Sequence, residues 1–270
     1  MTPLPAHARG LPVRDTQLMR DLGRFRLMTG RMIQRRHFEG ASPTAMRRAN
    51  RRLTALPQLG LIGQLHRRIG GHRSGSAGSI HYLTPSGRQL LMLSGNEVEI
   101  GGFARPGWEP GSLFTEHILA VSELATSLVE RVREISSTEL IFQPEPEAWR
   151  SFVGANGERR VLKPDAFVGL IGSEFEDHYF IEVDRGTESL RRVEQKMKTY
   201  IGYERGGTEQ AVTGIFPKVV WLVDGEKRLG KVRALLGELL EGQQRLFAAE
   251  PLDRGAFVLL SGELNGSTDP

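Results

Sequence analysis

Two apolar runs, LKPDAFVGLI at 162–171 and HYFIEVD at 178–184, flank the polar stretch GSEFED. Runs of this length around a polar turn read as two strands of a hairpin, centred on Ser173–Glu174. That centre sets the register and puts Asp165 opposite a residue near 182–184. Side chains alternate along a strand, so Glu182 and Asp184 project to the same side. Asp165, Glu182 and Asp184 therefore gather at one end of the hairpin, within cross-strand reach. Like charges that close are unfavourable unless something positive lies among them. One candidate is Mg²⁺ or Mn²⁺, since three carboxylates make an oxygen site for such an ion. A bound ion would polarise a phosphoryl oxygen and lower the pKa of a water nucleophile. The other candidate is an ion-pair network with Arg185, Arg191 or Arg192.

The surrounding sequence predicts an α/β unit. A long amphipathic helix runs from Phe114 to about Ile135, with Phe114, Ile118, Val121, Ala125, Leu128 and Val132 as its buried stripe. Glu123 falls on the opposite, solvent-facing side. TELIFQ reads as a strand ahead of the hairpin, and a helix follows from about Glu188 to Tyr203. PKVVWLVD is a strand, EKRLGKVRALLGELLE a helix and AFVLL a last strand. The order is α-β-β-β-α-β, then α-β.

The first half has a different pattern. Helices are predicted from Asp15 to Met28 and over GRMIQRRHF, the second capped by Thr29. In SPTAMRRANRRLTAL, Ser42 is an N-cap and Pro43 a first helical residue. Met46, Ala49, Leu53 and Leu56 form one apolar stripe. At roughly 100° per residue, Thr44, Arg47, Arg48 and Arg51 fall on the opposite face, with Arg52 on its flank. The period then changes: LIGQLHRRI and SIHYLT read as strands around the Gly-rich GGHRSGSAG, with Arg67, Arg68 and Arg73 near the tip. TPSGRQLLML restarts a helix. Helix, helix, basic helix, hairpin is the order of a winged helix-turn-helix, with the basic helix placed to read a major groove and the hairpin arginines to contact phosphates.

Charge supports this division. Residues 1–112 hold 17 Arg against 6 acids, so a net charge of +4 for the whole chain conceals +11 in the first half and −7 in the rest. A basic half joined to an acidic half points to a polyanion partner for the former. Gly- and Pro-rich residues 99–112 read as a linker. The predicted organisation is a tail at 1–12, a winged helix-turn-helix domain at 13–98, the linker, a second domain at 113–262 and a tail at 263–270. The absence of cysteine excludes disulfides, thiolate metal sites and cysteine nucleophiles, and fits a reducing cytoplasm. No stretch approaches a membrane span. HExxH, GxxxxGK[ST] and GxSxG are absent, and no two histidines stand at i, i+4.

With PD at 164–165 and Glu182 on the next strand, the α-β-β-β-α-β order resembles the PD-(D/E)xK restriction-endonuclease-like core. The chain from about 13 to 262 resembles the replication-relaxation family of plasmids and other mobile elements. The matching pieces are RRANRRLTALPQLGLI, YLTPSG, EHILAVSEL, KPDAFVGL, FIEVDRGTE and KMKTYIGY. The resemblance implies a bacterial, cytoplasmic protein that binds double-stranded DNA in plasmid replication, mobilisation or regulation. It leaves open a replication or mobilisation protein as partner, and a homodimer. Asp165 and Glu182 match the nuclease motif, but its lysine would stand at 184, where this chain has Asp. That lysine carries positive charge to the reacting phosphate, a role Asp cannot fill. Either the carboxylate acts as a base, as in some restriction enzymes of that superfamily, or a lysine from the next helix, Lys196 rather than Lys198, takes the place. The two resulting readings are a DNA-binding protein with a non-catalytic nuclease-like scaffold, and a Mg²⁺- or Mn²⁺-dependent endonuclease or nickase using Asp165, Glu182, Asp184 and Lys196. Glu123 matches the helix-borne acid that some such nucleases use, but its place opposite the buried stripe favours plain solvent exposure.

Overall fold

The computed structural model describes residues 11–38, 42–65, 78–94, 110–135, 137–154 and 156–264. The chain divides into two compact units, 1–126 and 127–270. Both mix helix and strand.

Short hydroxyl side chains set three helix starts of the N-terminal unit, those of the second, third and fourth helices. The elements run α1 (Val13–Phe25), β1 (Met28–Thr29), α2 (Gly30–His37), α3 (Pro43–Gln58), β2 (Ile62–Leu65), β3 (Ile80–Leu83), α4 (Pro85–Leu93) and the first half of α5 (Ser112–Glu134). Thr29 accepts from Met32 N (3.2 Å), Ser42 from Ala45 N (3.1 Å) and Thr84 from Gly87 N (3.1 Å). Each satisfies an amide that the first turn would leave unpaired. Pro43 and Pro85 then occupy first helical positions, where the missing N–H costs nothing. The three strands form an antiparallel sheet in the order β1-β3-β2.

Three details of this unit differ from the sequence expectation. Helix α1 stops at Phe25 rather than Met28, because Arg26 takes φ 66° and Met28–Thr29 pair with β3. Met46 is 39% exposed, and Ala45 is buried in its stead beside the expected Ala49 and Leu56. The first half of α5, read as opening the second domain, belongs to this unit. Ile118 packs with Leu27 and Ile80, and Ser122 Oγ donates to Leu27 O at 2.8 Å. The linker expected at 99–112 lies almost wholly outside the described residues.

The second unit is built on a five-stranded sheet. After α5 come β4 (Glu139–Pro144), β5 (Arg150–Val153), β6 (Arg159–Leu162), β7 (Ala166–Ile171), β8 (Glu176–Asp184), α6 (Leu190–Arg205), α7 (Thr208–Thr213), β9 (Lys218–Val223), α8 (Glu226–Gly237), α9 (Glu241–Gln244), β10 (Phe247–Pro251) and α10 (Gly255–Ser261). The sheet order is β10-β9-β8-β7-β4. Strands β4, β7 and β8 form an antiparallel meander, and β9 and β10 add in parallel. A parallel central strand is covered on both faces, which suits the unbroken apolar run of β9. Val193, Met197, Tyr200 and Ile201 bury one face of α6 in the main core, which also holds Phe180, Trp221 and Phe247.

The hairpin β5–β6 lies between β4 and β7, where the sequence reading had no strands; Gly157, at φ 79°, forms its turn. AFVLL, expected as the last strand, is helical in α10. FAAEP supplies the strand instead, paired with β9 and almost fully buried. A short apolar run fits either state by periodicity alone, and here burial of Ala256, Val258 and Leu259 on one helix face decides it.

Candidate functional site

Two places carry the residues singled out from sequence. The first is the outer face of α3. Thr44, Arg47, Arg48 and Arg51 are all exposed there. Arg47 Nε donates to Pro43 O at 3.3 Å, one turn back on the same helix. Arg52 does not share this face. Its guanidinium grips both carboxylate oxygens of Asp15 on α1, with Nε at 3.1 Å from Oδ1 and Nη2 on Oδ2. Asp15 is 1% exposed, so Arg52 is the partner of a buried charge and ties α3 to α1. Arg67, Arg68 and Arg73 lie outside the described residues.

The second place is the end of the β7–β8 hairpin. Ala166 faces Ile181, so the antiparallel register carries Asp165 opposite Glu182. Asp165 N donates to Ile181 O at 3.0 Å, and Val183 N donates to Asp165 Oδ2 at 2.7 Å. Asp165 is thereby locked to the neighbouring strand by backbone and side chain together. Glu182 is 2% exposed and faces α6. Lys196 Nζ donates to its Oε2, and Tyr200 OH to its Oε1. Lys196 and Tyr200 are four residues apart, so one face of α6 satisfies both oxygens. Asp184 is 6% exposed and has a separate set of partners. Its Oδ1 accepts from Gly186 N at 2.7 Å, in a turn that needs Gly186 at φ 74°. Its Oδ2 accepts from Arg228 Nε (2.9 Å) and Nη2 (2.8 Å). Arg228 Nη2 also donates to Glu188 O at 2.9 Å.

The electrostatics follow from burial. Desolvation raises the Glu182 carboxyl and Asp165 adds to the rise, while Lys196 and Tyr200 pull it back down. Burial alone would lower Lys196, but the charges of Glu182 and Asp165 outweigh it and hold the ammonium above the ordinary lysine range. The Tyr200 phenol is raised by burial and by Glu182, and stays protonated as a donor.

The three carboxylates thus have separate hydrogen-bond partners. Among the described residues, no three His, Asp or Glu side chains are placed to hold a metal together. Mg²⁺ demands near-octahedral oxygen ligands, whereas both oxygens of Glu182 and both of Asp184 already accept hydrogen bonds. As placed, Glu182 and Asp184 are each held by their own donors rather than turned together. The ion pairs at these acids run through different cations from those expected. Arg185 is 3.9 Å from Asp224, and Arg192 is 4.0 Å from Glu188. Lys198 pairs with Glu194 on its own helix. Glu123 pairs with Arg35 in the N-terminal unit. Sequence reasoning missed Tyr200 and Arg228. Tyr200 left a signal, since a tyrosine on an apolar helix stripe needs a partner for its hydroxyl. Arg228, 44 residues from Asp184, left none.

A family model described as replication-relaxation matches residues 19–219. No curated protein and no solved structure matches the chain. The match covers most of the chain and both units, and the chain belongs to the replication-relaxation family.

Proposed function

We propose that this protein binds double-stranded DNA through α3, in plasmid or mobile-element replication or mobilisation, and that its second unit is a nuclease-like scaffold that does not cleave. The carrying observation is the exposed face of Thr44, Arg47, Arg48 and Arg51, opposite the packed Ala45, Ala49 and Leu56. The element order α1-β1-α2-α3-β2-β3 with a β1-β3-β2 sheet supports reading the N-terminal unit as a winged helix-turn-helix. In that reading α3 enters the major groove. The antiparallel β4-β7-β8 meander followed by α6 and the parallel β9 supports a PD-(D/E)xK-like core. A replication or mobilisation protein is the partner this reading assigns to that scaffold. None of the described helices is long and apolar enough to cross a membrane. A gel shift on the origin region of the element that encodes the protein tests the reading. Wild type retards duplex DNA, and Arg47→Ala/Arg48→Ala/Arg51→Ala does not. Equal retardation by the triple variant would sink it.

One observation favours a second reading, a metal-dependent endonuclease or nickase. Lys196 reaches Glu182 and brings positive charge to the Asp165–Glu182 pair, where the motif lysine is missing at 184. Incubation with supercoiled plasmid and Mg²⁺ or Mn²⁺ decides between the readings. Nicking that disappears in Asp165→Asn would establish the second.

A further inference from the structure

We propose that the Lys196 ammonium is the resident cation of the Asp165–Glu182 pair, and that the folded second unit holds this site closed to divalent metal. The proposal deepens the non-cleaving reading above and rests on it.

The argument starts from rotation of α6. Val193, Met197, Tyr200 and Ile201 are buried, which fixes the face that α6 turns to the sheet. Ser189 caps its start by accepting from Arg192 N at 3.3 Å. With that rotation fixed, Lys196 stands over Glu182 and bonds to it, while Tyr200, one turn on, takes the second oxygen. Cross-strand register puts Asp165 beside the same pair, and its charge acts on both Glu182 and Lys196. The ammonium therefore sits where two carboxylates would otherwise repel each other. Asp184, the third acid, is drawn off by Arg228 and Gly186 N. A divalent ion entering here would have to displace a cation that is covalently part of the fold, so it competes against an intramolecular partner.

The test uses the full chain freed of metal with EDTA, and Mn²⁺ as the probe. The readouts are the thermal midpoint and the free-Mn²⁺ resonance signal. Wild type unfolds at the same temperature in EDTA, Mg²⁺ or Mn²⁺, and shows no bound Mn²⁺ that depends on Asp165. Lys196→Met keeps the stem and removes the charge. It unfolds at a lower temperature in EDTA, binds one Mn²⁺, and regains roughly 2–4 °C at saturating Mn²⁺. Asp165→Asn in that background abolishes the gain. A wild type that binds one Mn²⁺ through Asp165 would overturn the proposal, and that arm needs no variant at position 196 to fold. A folded Lys196→Met that takes no Mn²⁺ would overturn it as well. Mn²⁺ binding without plasmid nicking leaves the non-cleaving reading intact, whereas nicking by wild type overturns both.

Discussion

Arg228 on α8 grips Asp184 at the end of β8 with two nitrogens on one oxygen, at 2.9 and 2.8 Å, across 44 residues of chain. The same guanidinium holds Glu188 O, and Asp224 N donates to Asp184 O at 2.8 Å. The turns that follow β8 and β9 are thereby tied together. Removing one partner of a buried ion pair leaves the other charge desolvated and unpaired. Arg228→Ala is expected to lower stability by about 3 kcal/mol or more in urea unfolding. Arg228→Met/Asp184→Asn, which removes both charges, recovers much of that stability. An Arg228→Ala protein as stable as wild type would show that the pair is idle.

Arginines 51 and 52 are neighbours in sequence with opposite expected roles. Arg51 is exposed beside Arg47 and Arg48, while Arg52 pairs with buried Asp15. Surface substitutions away from such pairs stay within about 0.5 kcal/mol. Arg47, Arg48 and Arg51 changed singly to Ala should leave the melting temperature nearly unchanged. Each should weaken DNA binding and flatten the slope of log K against log salt by roughly 0.9 for every phosphate no longer neutralised. Arg52→Ala should lower stability by about 3 kcal/mol, because Asp15 stays buried without its cation. Calorimetry beside salt-dependent gel shifts separates the two classes. A wild-type melting temperature in Arg52→Ala would refute the assignment.

The positions of Asp165 and Glu182 were legible because a hairpin register needs only a polar turn and two apolar runs. A turn centred between 173 and 174 puts 165 opposite 182, and that is the observed register. The basic face of α3 was legible for a similar reason, since 3.6 periodicity sorts side chains locally. Its one misassigned arginine, Arg52, sits on the edge of the stripe, where packing against α1 decides. The hairpin β5–β6 had an Asn156–Gly157 turn signal that a strand reading would have used. What filled the space around Glu182 and Asp184 was not legible. Lys196 emerged as one candidate among several, and Arg228 depends on how α8 packs, a tertiary fact without local pattern.

His81 lies on the central strand of the small sheet, 1% exposed, with Nε2 2.7 Å from Ser79 Oγ. Burial lowers its pKa from 6.5 to about 4, so the fold holds it neutral. A depressed histidine contributes stability that is present above pH 6.5 and is lost as pH falls through 4. Between pH 7 and pH 5 the loss from this group is about 2 kcal/mol. Asp21 follows at lower pH. Burial opposes its ionisation, but His37 and Arg36 overcome that and hold it at about 2, so its contribution disappears as pH falls from 3.8 through 2. In urea unfolding at pH 7, 6 and 5, the stability of wild type relative to His81→Gln should shrink by about 2 kcal/mol as pH falls, whatever the other buried groups add to both proteins. Equal slopes for the two proteins would remove His81 as the cause.

Gly87 sits inside α4, where replacing Gly with Ala ordinarily stabilises a helix by about 1 kcal/mol. Here an added Cβ would lie 2.1 Å from Leu61 O and 2.7 Å from Leu83 Cδ1. The carbonyl cannot move aside cheaply, because it accepts from Thr84 N at 3.2 Å and from Thr84 Oγ1 at 2.9 Å. Those bonds join α4 to the turn before β2. Gly87→Ala should therefore destabilise by about 1–3 kcal/mol, the usual range for overpacking, despite its better helix propensity. Gly230 is the control, also helical, in α8, with nothing within 4 Å of its added Cβ. Gly230→Ala should stabilise by up to about 1 kcal/mol. The two substitutions have the same chemistry, so opposite signs in urea unfolding isolate the close approach of Leu61. A stabilising Gly87→Ala would show that α4 stands further from that carbonyl.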